Sequence, residues 1–464
     1  MSTSQPYGPK ACIIGAGSSG IAGAKALHER GIPFDCYEKS DRIGGNWVFG
    51  NRNGMSSAYR TLHINTSRER MEYSDFQMPK SFPDFPHHTH IAKYFNDYVD
   101  HFGFRDRIRF ETGVAHIARR DDGVFEVELE NGETHLYDAV MVANGHHWDA
   151  RWPEPAFPGE FSGRQMHAHD YKDTDEFRDK RVVILGMGNS AMDLAVDSSY
   201  AAAETYLAAR RGAWVIPKYV EGKPLDQPKQ FGRLAGLISH GAVPFKVRQK
   251  LLEKTLLTAV GPMENYGLPT PDHKIAEAHP TVSGRILDRL AHGAITPKPN
   301  IAELRGDRVA FADGSEVEAD VVVYCTGYKV TFPFFDEDFI AAPDNDLPLF
   351  RRVFHPDHRD VFFLGLVQPL GAIMPIAERQ GQWLADYLRG EYTLPPQPEL
   401  LEDMRKERET MFKRYVKSKR HTMQIDYDQY MWQVDRERKR GAERARLAGF
   451  PLPVPARAAE AVPA

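Results

Sequence analysis

The sequence predicts an α/β protein with two dinucleotide-binding units, the second inserted into a discontinuous first. Three observations carry this expectation. Two glycine-rich loops of one design, Gly15-Ala16-Gly17-Ser18-Ser19-Gly20 and Gly186-Met187-Gly188-Asn189-Ser190-Ala191, occur in a chain of 464 residues. Each follows a short apolar run and opens a helix-like pattern. The strand-plus-glycine ending Ala139 to Gly145 also resembles Val321 to Gly327, so two similar strand ends bracket the second loop. The simplest account is a chain that leaves its first unit and returns to it near residue 321.

In each loop the first glycine allows a tight strand-to-helix turn, the second lets backbone approach a pyrophosphate, and the third lets helix pack on strand. The helix N-terminus then offers amides and a favourable dipole to the anion. A lone motif of this kind is a weak signal; here the strand-loop-helix context of a Rossmann-like unit is present twice. Lys10 to Ile14 reads as the strand entering the first loop, Ile21 to Arg30 as its helix, and Phe34 to Glu38 as the second strand. Glu38 stands about 20 residues beyond the loop's glycines, where a carboxylate accepts hydrogen bonds from an adenosine ribose diol. The bland alternative is a solvated strand-end glutamate.

For the second loop, Arg181 to Leu185 is the incoming strand, and Ala191 replaces the third glycine, which the fingerprint permits. The next strand, Thr205 to Ala209, ends in Arg210-Arg211 instead of an acid. A carboxylate there repels a 2′-phosphate, whereas a guanidinium pairs with it through charge-assisted hydrogen bonds. The first site therefore reads as taking a nucleotide with a free diol, such as FAD, and the second as taking NADPH. Two surface arginines at a strand end are the alternative.

Composition bounds the rest. An apolar content of 42% suits buried cores in two or three domains. Lys plus Arg number 59 against 64 Asp plus Glu, a formal charge of −5, which provides no global attraction to nucleic acid or acidic membranes. With negative mean hydropathy and no apolar run near 20 residues, no membrane span is expected. Met1 to Gly8 lacks the features of a secretory signal, so a cytoplasmic protein is expected. The three cysteines, Cys12, Cys36 and Cys325, fall in predicted strands far apart and form no redox pair, which disfavours a disulfide reductase. His87, His88 and His90 lack a supporting ligand set, and no metal is expected.

These readings divide the chain into a first unit over 6–158, a second over 159–320 with a helical insertion at about 217–300, a return segment over 321–450, and a tail over 451–464. Val361 to Leu366 reads as one more buried strand and Pro375 to Leu388 as a proline-opened helix. Leu401 to Tyr415 and Tyr430 to Arg446 read as charged helices whose interspersed acids indicate solvated faces. The tail, rich in Pro and Ala, is expected to be disordered or draped over the surface.

One segment resembles a family. Phe161-Ser162-Gly163-Arg164-Gln165-Met166-His167-Ala168-His169-Asp170-Tyr171 reproduces F-x-G-x-x-x-H-x-x-x-Y, the identifying sequence of flavin-containing monooxygenases. Gly44-Gly45-Asn46-Trp47, Ile64-Asn65-Thr66-Ser67, Tyr73 to Phe76, Pro280-Thr281-Val282, Cys325 to Tyr328, Pro369-Leu370-Gly371 and Gln424 to Tyr427 also resemble family segments in the same order. The resemblance implies FAD, NADPH, dioxygen and a soft nucleophilic small molecule such as an amine or sulfide. It implies that Gly15, Gly17, Ser19, Gly20 and Glu38 hold FAD, with Gly45, Asn46, Trp47, Asn65 and Thr66 near the flavin. It assigns Gly186, Gly188, Asn189, Ser190, Ala191, Asp193, Arg210 and Arg211 to the nicotinamide nucleotide. The animal microsomal members carry a C-terminal membrane anchor and none is read in this sequence, so a soluble bacterial-type member is expected; Ala209 and Arg211 flank Arg210 where relatives often place hydroxyl residues.

Such an enzyme takes hydride from NADPH, adds dioxygen at the flavin C4a carbon, and keeps the resulting hydroperoxide dry until substrate arrives. The resemblance gives Asn65 the catalytic role of holding the reactive oxygens through its amide; a turn residue capping its own backbone is the alternative. His167 is expected to fix the linker between units. A Baeyer–Villiger monooxygenase attacking ketones uses the same two nucleotides, although its commonest type ends the identifying sequence in tryptophan where Tyr171 stands here. A non-catalytic flavoprotein sensing the nicotinamide pool is a third class. The substrate is not legible, and a homodimer is left open.

Overall fold

The computed structural model describes residues 8–227, 245–415 and 422–457. Two five-stranded parallel sheets organise it. The first runs Val361–Phe363, Ala139–Val142, Ala11–Ile14, Phe34–Tyr37, Ile108–Arg109; the second runs Arg164–His167, Val321–Tyr324, Arg181–Leu185, Glu204–Ala209, Thr296–Pro299. Both repeat one order, with the glycine-loop strand central and its crossover partner beside it.

Parallel strands covered on both faces read as continuous apolar runs, and both central strands do. Ala11 and Ile13 face one core and Cys12 and Ile14 another. Val182 and Ile184 are divided from Val183 and Leu185 in the same way. In each lobe helices cover one face, while the other is covered by antiparallel strands, Val114–Arg119, Phe125–Leu129 and Thr134–Tyr137 in the first and Ile301–Gly306, Arg308–Phe311 and Glu316–Glu318 in the second. The helix after the first loop, Ser18–Glu29, packs on Met374–Leu388, where a Cβ on Gly381 would lie 3.1 Å from the Gly23 Cα. That close crossing needs small residues on both helices.

The return to the first sheet is made by Val361–Phe363, which pairs in parallel with Ala139–Val142. The boundary expected at 321 is therefore corrected: Val321–Tyr324 lies inside the second sheet, paired with both Arg164–His167 and Arg181–Leu185. Its likeness to Ala139–Val142 reflects equivalent places in two sheets. The two connections between lobes instead run side by side, Asp149–Ala150 pairing antiparallel with Tyr328–Lys329. The insertion expected at about 217–300 ends earlier than drawn, because Thr296–Pro299 is the edge strand of the second sheet. Part of it, 228–244, lies outside the described residues.

Local expectations on helices hold with shifted ends: Gln397–Arg414 and Tyr427–Leu447 are the two charged helices. Cys12 and Cys36 are buried in strands, whereas Cys325 lies just past Tyr324. From Pro451 to Arg457 the tail is draped: Val454 is buried, and the Arg457 N–H donates to Asp138 at 2.6 Å. No helix among the described residues is long and apolar enough to cross a membrane.

Candidate functional site

One cavity of about 2150 Å³ lies between the lobes, and both glycine loops line it. In the first loop Gly15 has φ +97°, in the region glycine favours. A Cβ on Gly20 would sit 1.8 Å from the Gly15 carbonyl oxygen, so that position admits only glycine. Gly20 itself is buried off the cavity wall and serves the turn; Gly15, Gly17 and Ser19 face the cavity. The helix cap at Gly17 has no side-chain hydrogen bond, which leaves the first-turn amides to an anion. Gly45 leans on the loop, its Cβ position 3.2 Å from the Gly17 Cα. Asn46 accepts from the Ser57 N–H at 3.3 Å, and Trp47 is packed against the first core.

Glu38 is buried at the end of its strand beside this cradle. Its carboxylate accepts from the Ala16 and Ser40 N–H groups, each at 2.7 Å. Burial pushes its pKa up, and the two backbone donors oppose the shift. Each oxygen retains a lone pair, so the arrangement fits a ribose diol as well as it fixes the loop.

The second loop is similar and looser. Gly186 has φ +145°, and its Cβ position meets the Cys325 oxygen at 2.9 Å. Ala191 fits with its Cβ 3.3 Å from that same position. The cap at Gly188 is again free of side-chain bonds. Asn189 and Ser190 line the cavity, and the Asn189 side-chain oxygen accepts from the Val282 N–H at 2.8 Å. Thr281 donates to the Met187 oxygen at 2.5 Å. These two bonds explain the Pro280-Thr281-Val282 segment as a brace for the loop.

The two arginines at the strand end differ. Arg211 is held by Asp272 through two bonds of 2.6 and 3.0 Å. Arg210 lines the cavity, is exposed, and makes no ion pair among the described residues. Of the two guanidiniums it is the one whose surroundings suit a phosphate.

Asp193, expected at the nicotinamide nucleotide, is not on the cavity wall. It points back from the helix Asn189–Ala201 and accepts from the Tyr59 hydroxyl at 2.6 Å. Burial raises its pKa to about 6. Its assignment as a cofactor ligand is corrected on this ground.

Asn65 and Thr66 are half-buried on the cavity wall. The Asn65 amide has no hydrogen-bond partner among the described residues, so the backbone-capping alternative finds no support. Its loop is held from both sides: Lys218 Nζ donates to the Ile64 oxygen at 3.0 Å, and the Ser67 N–H donates to Asp226 at 2.7 Å. Sequence reasoning missed Lys218 and Asp226, which carry no local motif. It also left His146 and His147 unassigned; both line the cavity, and burial drives the His146 pKa well below its usual value.

In the identifying segment, His167 is fully buried, its Nδ1 accepting from the His169 N–H at 3.1 Å, and burial lowers its pKa to about 4. A neutral, immobilised ring suits fixing the linker. Tyr171 is fully buried and donates to Asp197 at 2.9 Å. The histidines at 87, 88 and 90 form no metal cluster among the described residues; His87 caps its helix.

Two glycine-loop cradles of the dinucleotide-binding form open on one cavity, an arrangement that suits an oxidoreductase working with two nucleotides. The chain matches the flavin-binding monooxygenase-like family over residues 8–440 and belongs to it. It is 38% identical over 440 residues to flavin-containing monooxygenase 5 of Cavia porcellus, covering 91% of this chain and 81% of that protein. It is 33% identical over 437 residues to dimethylaniline monooxygenase (N-oxide-forming) 2 of Mus musculus, covering 91% and 81%. In fold it resembles OTEMO in complex with FAD and NADP, with TM-score 0.71 at 16% identity over 96% of this chain and 99% of that one. The chain is an enzyme of the flavin-containing monooxygenase kind.

Proposed function

We propose that the chain oxygenates soft nucleophiles, amines or sulfides, with NADPH as reductant, FAD on the first lobe and the nicotinamide nucleotide on the second. The observation that carries this reading is the amide of Asn65, which has no hydrogen-bond partner among the described residues, on the wall of a cavity that both loops line. When bound, FAD supplies the dioxygen chemistry and NADPH the hydride.

The residues of the chain supply placement and electrostatics. Amides of the two helix N-termini bind the pyrophosphates, and the glycines let backbone approach them. Glu38 orients the adenosine diol of FAD, and Arg210 selects the 2′-phosphate of NADPH. Asn65 offers an N–H₂ donor toward the reacting oxygens, and the flanking Ile64 and Ser67, both buried, exclude water on that side.

Asn65→Ala tests the reading. Hydride transfer, followed anaerobically, stays near wild type, while turnover shifts from oxygenated sulfide or amine to hydrogen peroxide. Unchanged product yield overturns the role of Asn65. Conversion of a cyclic ketone to its lactone, with no oxygenation of sulfide or amine, overturns the substrate class.

A further inference from the structure

The segment that leads to Asn65 belongs to the first lobe by sequence but is fastened to the second. Tyr59 is buried in the second lobe's core, its ring 5.8 Å from that of Tyr171. Its hydroxyl donates to Asp193 at 2.6 Å; two residues on, Thr61 donates to Asp197 at 2.5 Å. Asp193 and Asp197 are four apart on Asn189–Ala201, so they share one face of the helix whose N-terminus forms the second cradle. Tyr171, the last residue of the identifying segment, also bonds Asp197, which thus joins segment, helix and strap. The backbone adds to this: the Arg60 N–H donates to the Lys172 oxygen at 2.8 Å, and Lys172 Nζ donates to the Ser56 oxygen at 2.9 Å. Immediately afterwards Ile64 is buried in the first lobe's core. Asn65 is therefore one residue from its anchor in one lobe and four from its anchor in the other.

Two acids on a helix that packs into an apolar core are costly unless each is hydrogen-bonded. Here each is bonded by the strap. Neither carboxylate touches the cavity, so nucleotide binding does not account for them.

We propose that Asp193 and Asp197 are positioning residues: through Tyr59 and Thr61 they tie the helix of the second cradle to the strap that carries Asn65, so that occupancy of the second cradle sets where the Asn65 amide stands. The inference rests on the role of Asn65 proposed above. A helix end drawn onto a pyrophosphate carries Asp193 and Asp197 with it, and the strap follows because two short, partly buried bonds tie it to the helix. The chain thus ties its oxygen-handling residue to the helix of the opposite lobe's cradle.

The test uses the flavin-loaded full chain with Tyr59→Phe, Thr61→Val and the double variant, which remove the donors and keep their shapes. Hydrogen exchange of the 56–67 segment is measured with and without NADP⁺, alongside the fraction of NADPH oxidised to peroxide. Wild type gains protection in 56–67 on NADP⁺ addition; the double variant loses that gain, and its peroxide fraction rises about threefold or more. NADP⁺ affinity and the anaerobic rate of flavin reduction stay within about twofold, and Thr61→Ser, which restores a donor, returns wild-type behaviour. A double variant that keeps the protection gain and the low peroxide fraction overturns the proposal, as does one that merely melts earlier with both unchanged. If Asn65→Ala raises peroxide and the double variant does not, the linkage fails and the role of Asn65 stands. If Asn65→Ala itself has no effect, the role of Asn65 and the positioning function built on it fail together.

Discussion

The two lobes share one strand order but differ in how much freedom their glycine loops retain. In the first, a Cβ at the third glycine position would lie 1.8 Å from a backbone oxygen; in the second, alanine occupies that position at 0% exposure without a clash of that kind. The first loop is locked further by Glu38, bonded to Ala16 within the loop. The second is braced from outside by Thr281 and Val282. A tightly built cradle suits a prosthetic group that stays; a cradle braced from outside its own loop suits a nucleotide that comes and goes.

The largest effect that breaks this comparison is Gly20→Ala. The new methyl meets backbone that cannot yield locally, and such overpacking costs about 3 kcal/mol. The expected outcome is protein purified with little or no flavin and a lowered Tm. A stoichiometric flavin-to-protein absorbance ratio in this variant would remove the claim that the first cradle is the stricter one.

Next in size is Arg210→Ala. Removing a charged hydrogen bond to the 2′-phosphate costs about 1.5–3 kcal/mol, or roughly 10- to 100-fold in NADPH affinity, with NADH binding little changed. Arg211→Ala moves either nucleotide by less than about threefold, because Asp272 already engages that guanidinium and exposed pairs contribute little. Titration of both nucleotides against both variants measures this. Equal losses for NADPH and NADH in Arg210→Ala would cancel its discriminating role.

That pair of arginines also marks how far the sequence could be read. The loops, their strands and Glu38 were legible because backbone geometry imposes a spacing on glycines and a sign on the strand-end residue. The identifying segment ending in Tyr171 was legible as a pattern, but its partner Asp197 was not. Nothing local told Arg210 from Arg211, since the difference is made by Asp272, far along the chain. Asp193 was misassigned for the same reason: its partner Tyr59 comes from the other lobe. The likeness of Val321–Tyr324 to Ala139–Val142 was real, yet periodicity records that a strand is buried on both faces and not which sheet buries it. A clue was present in the helix Asn189–Ala201, where acids at 193 and 197 fall among buried alanines, leucine and valine and so require donors.

A smaller effect sharpens the comparison through pH. Asp193, half-buried and faced by Tyr59, Asp197, Lys218 and Arg285, has its pKa raised to about 6 in the folded chain, chiefly by burial. A raised carboxyl pKa favours folding below the unfolded value of about 4, and that contribution is lost as pH rises through 6. Asp193→Asn keeps an acceptor for Tyr59 and removes the titration. The variant should gain about 1–2 kcal/mol relative to wild type between pH 4 and pH 7, after allowance for partial solvent screening. Denaturant unfolding at the two pH values reads the difference; parallel curves would show that Asp193 is ordinary.

The smallest expected effect is Ala191→Gly, which gives the second loop the sequence form of the first. If the two cradles differed only in that residue, the change would tighten nucleotide binding. The structure argues otherwise, because the second loop's spacing is set by Gly186 against Cys325 and by the brace at 281–282, none of which the substitution touches. The loss is that of one buried methyl near a helix start, about 1 kcal/mol in stability, with NADPH affinity unchanged within about twofold. A clear gain in affinity would mean that the third position alone decides how closely helix and strand approach, and that the external brace is incidental to the second cradle.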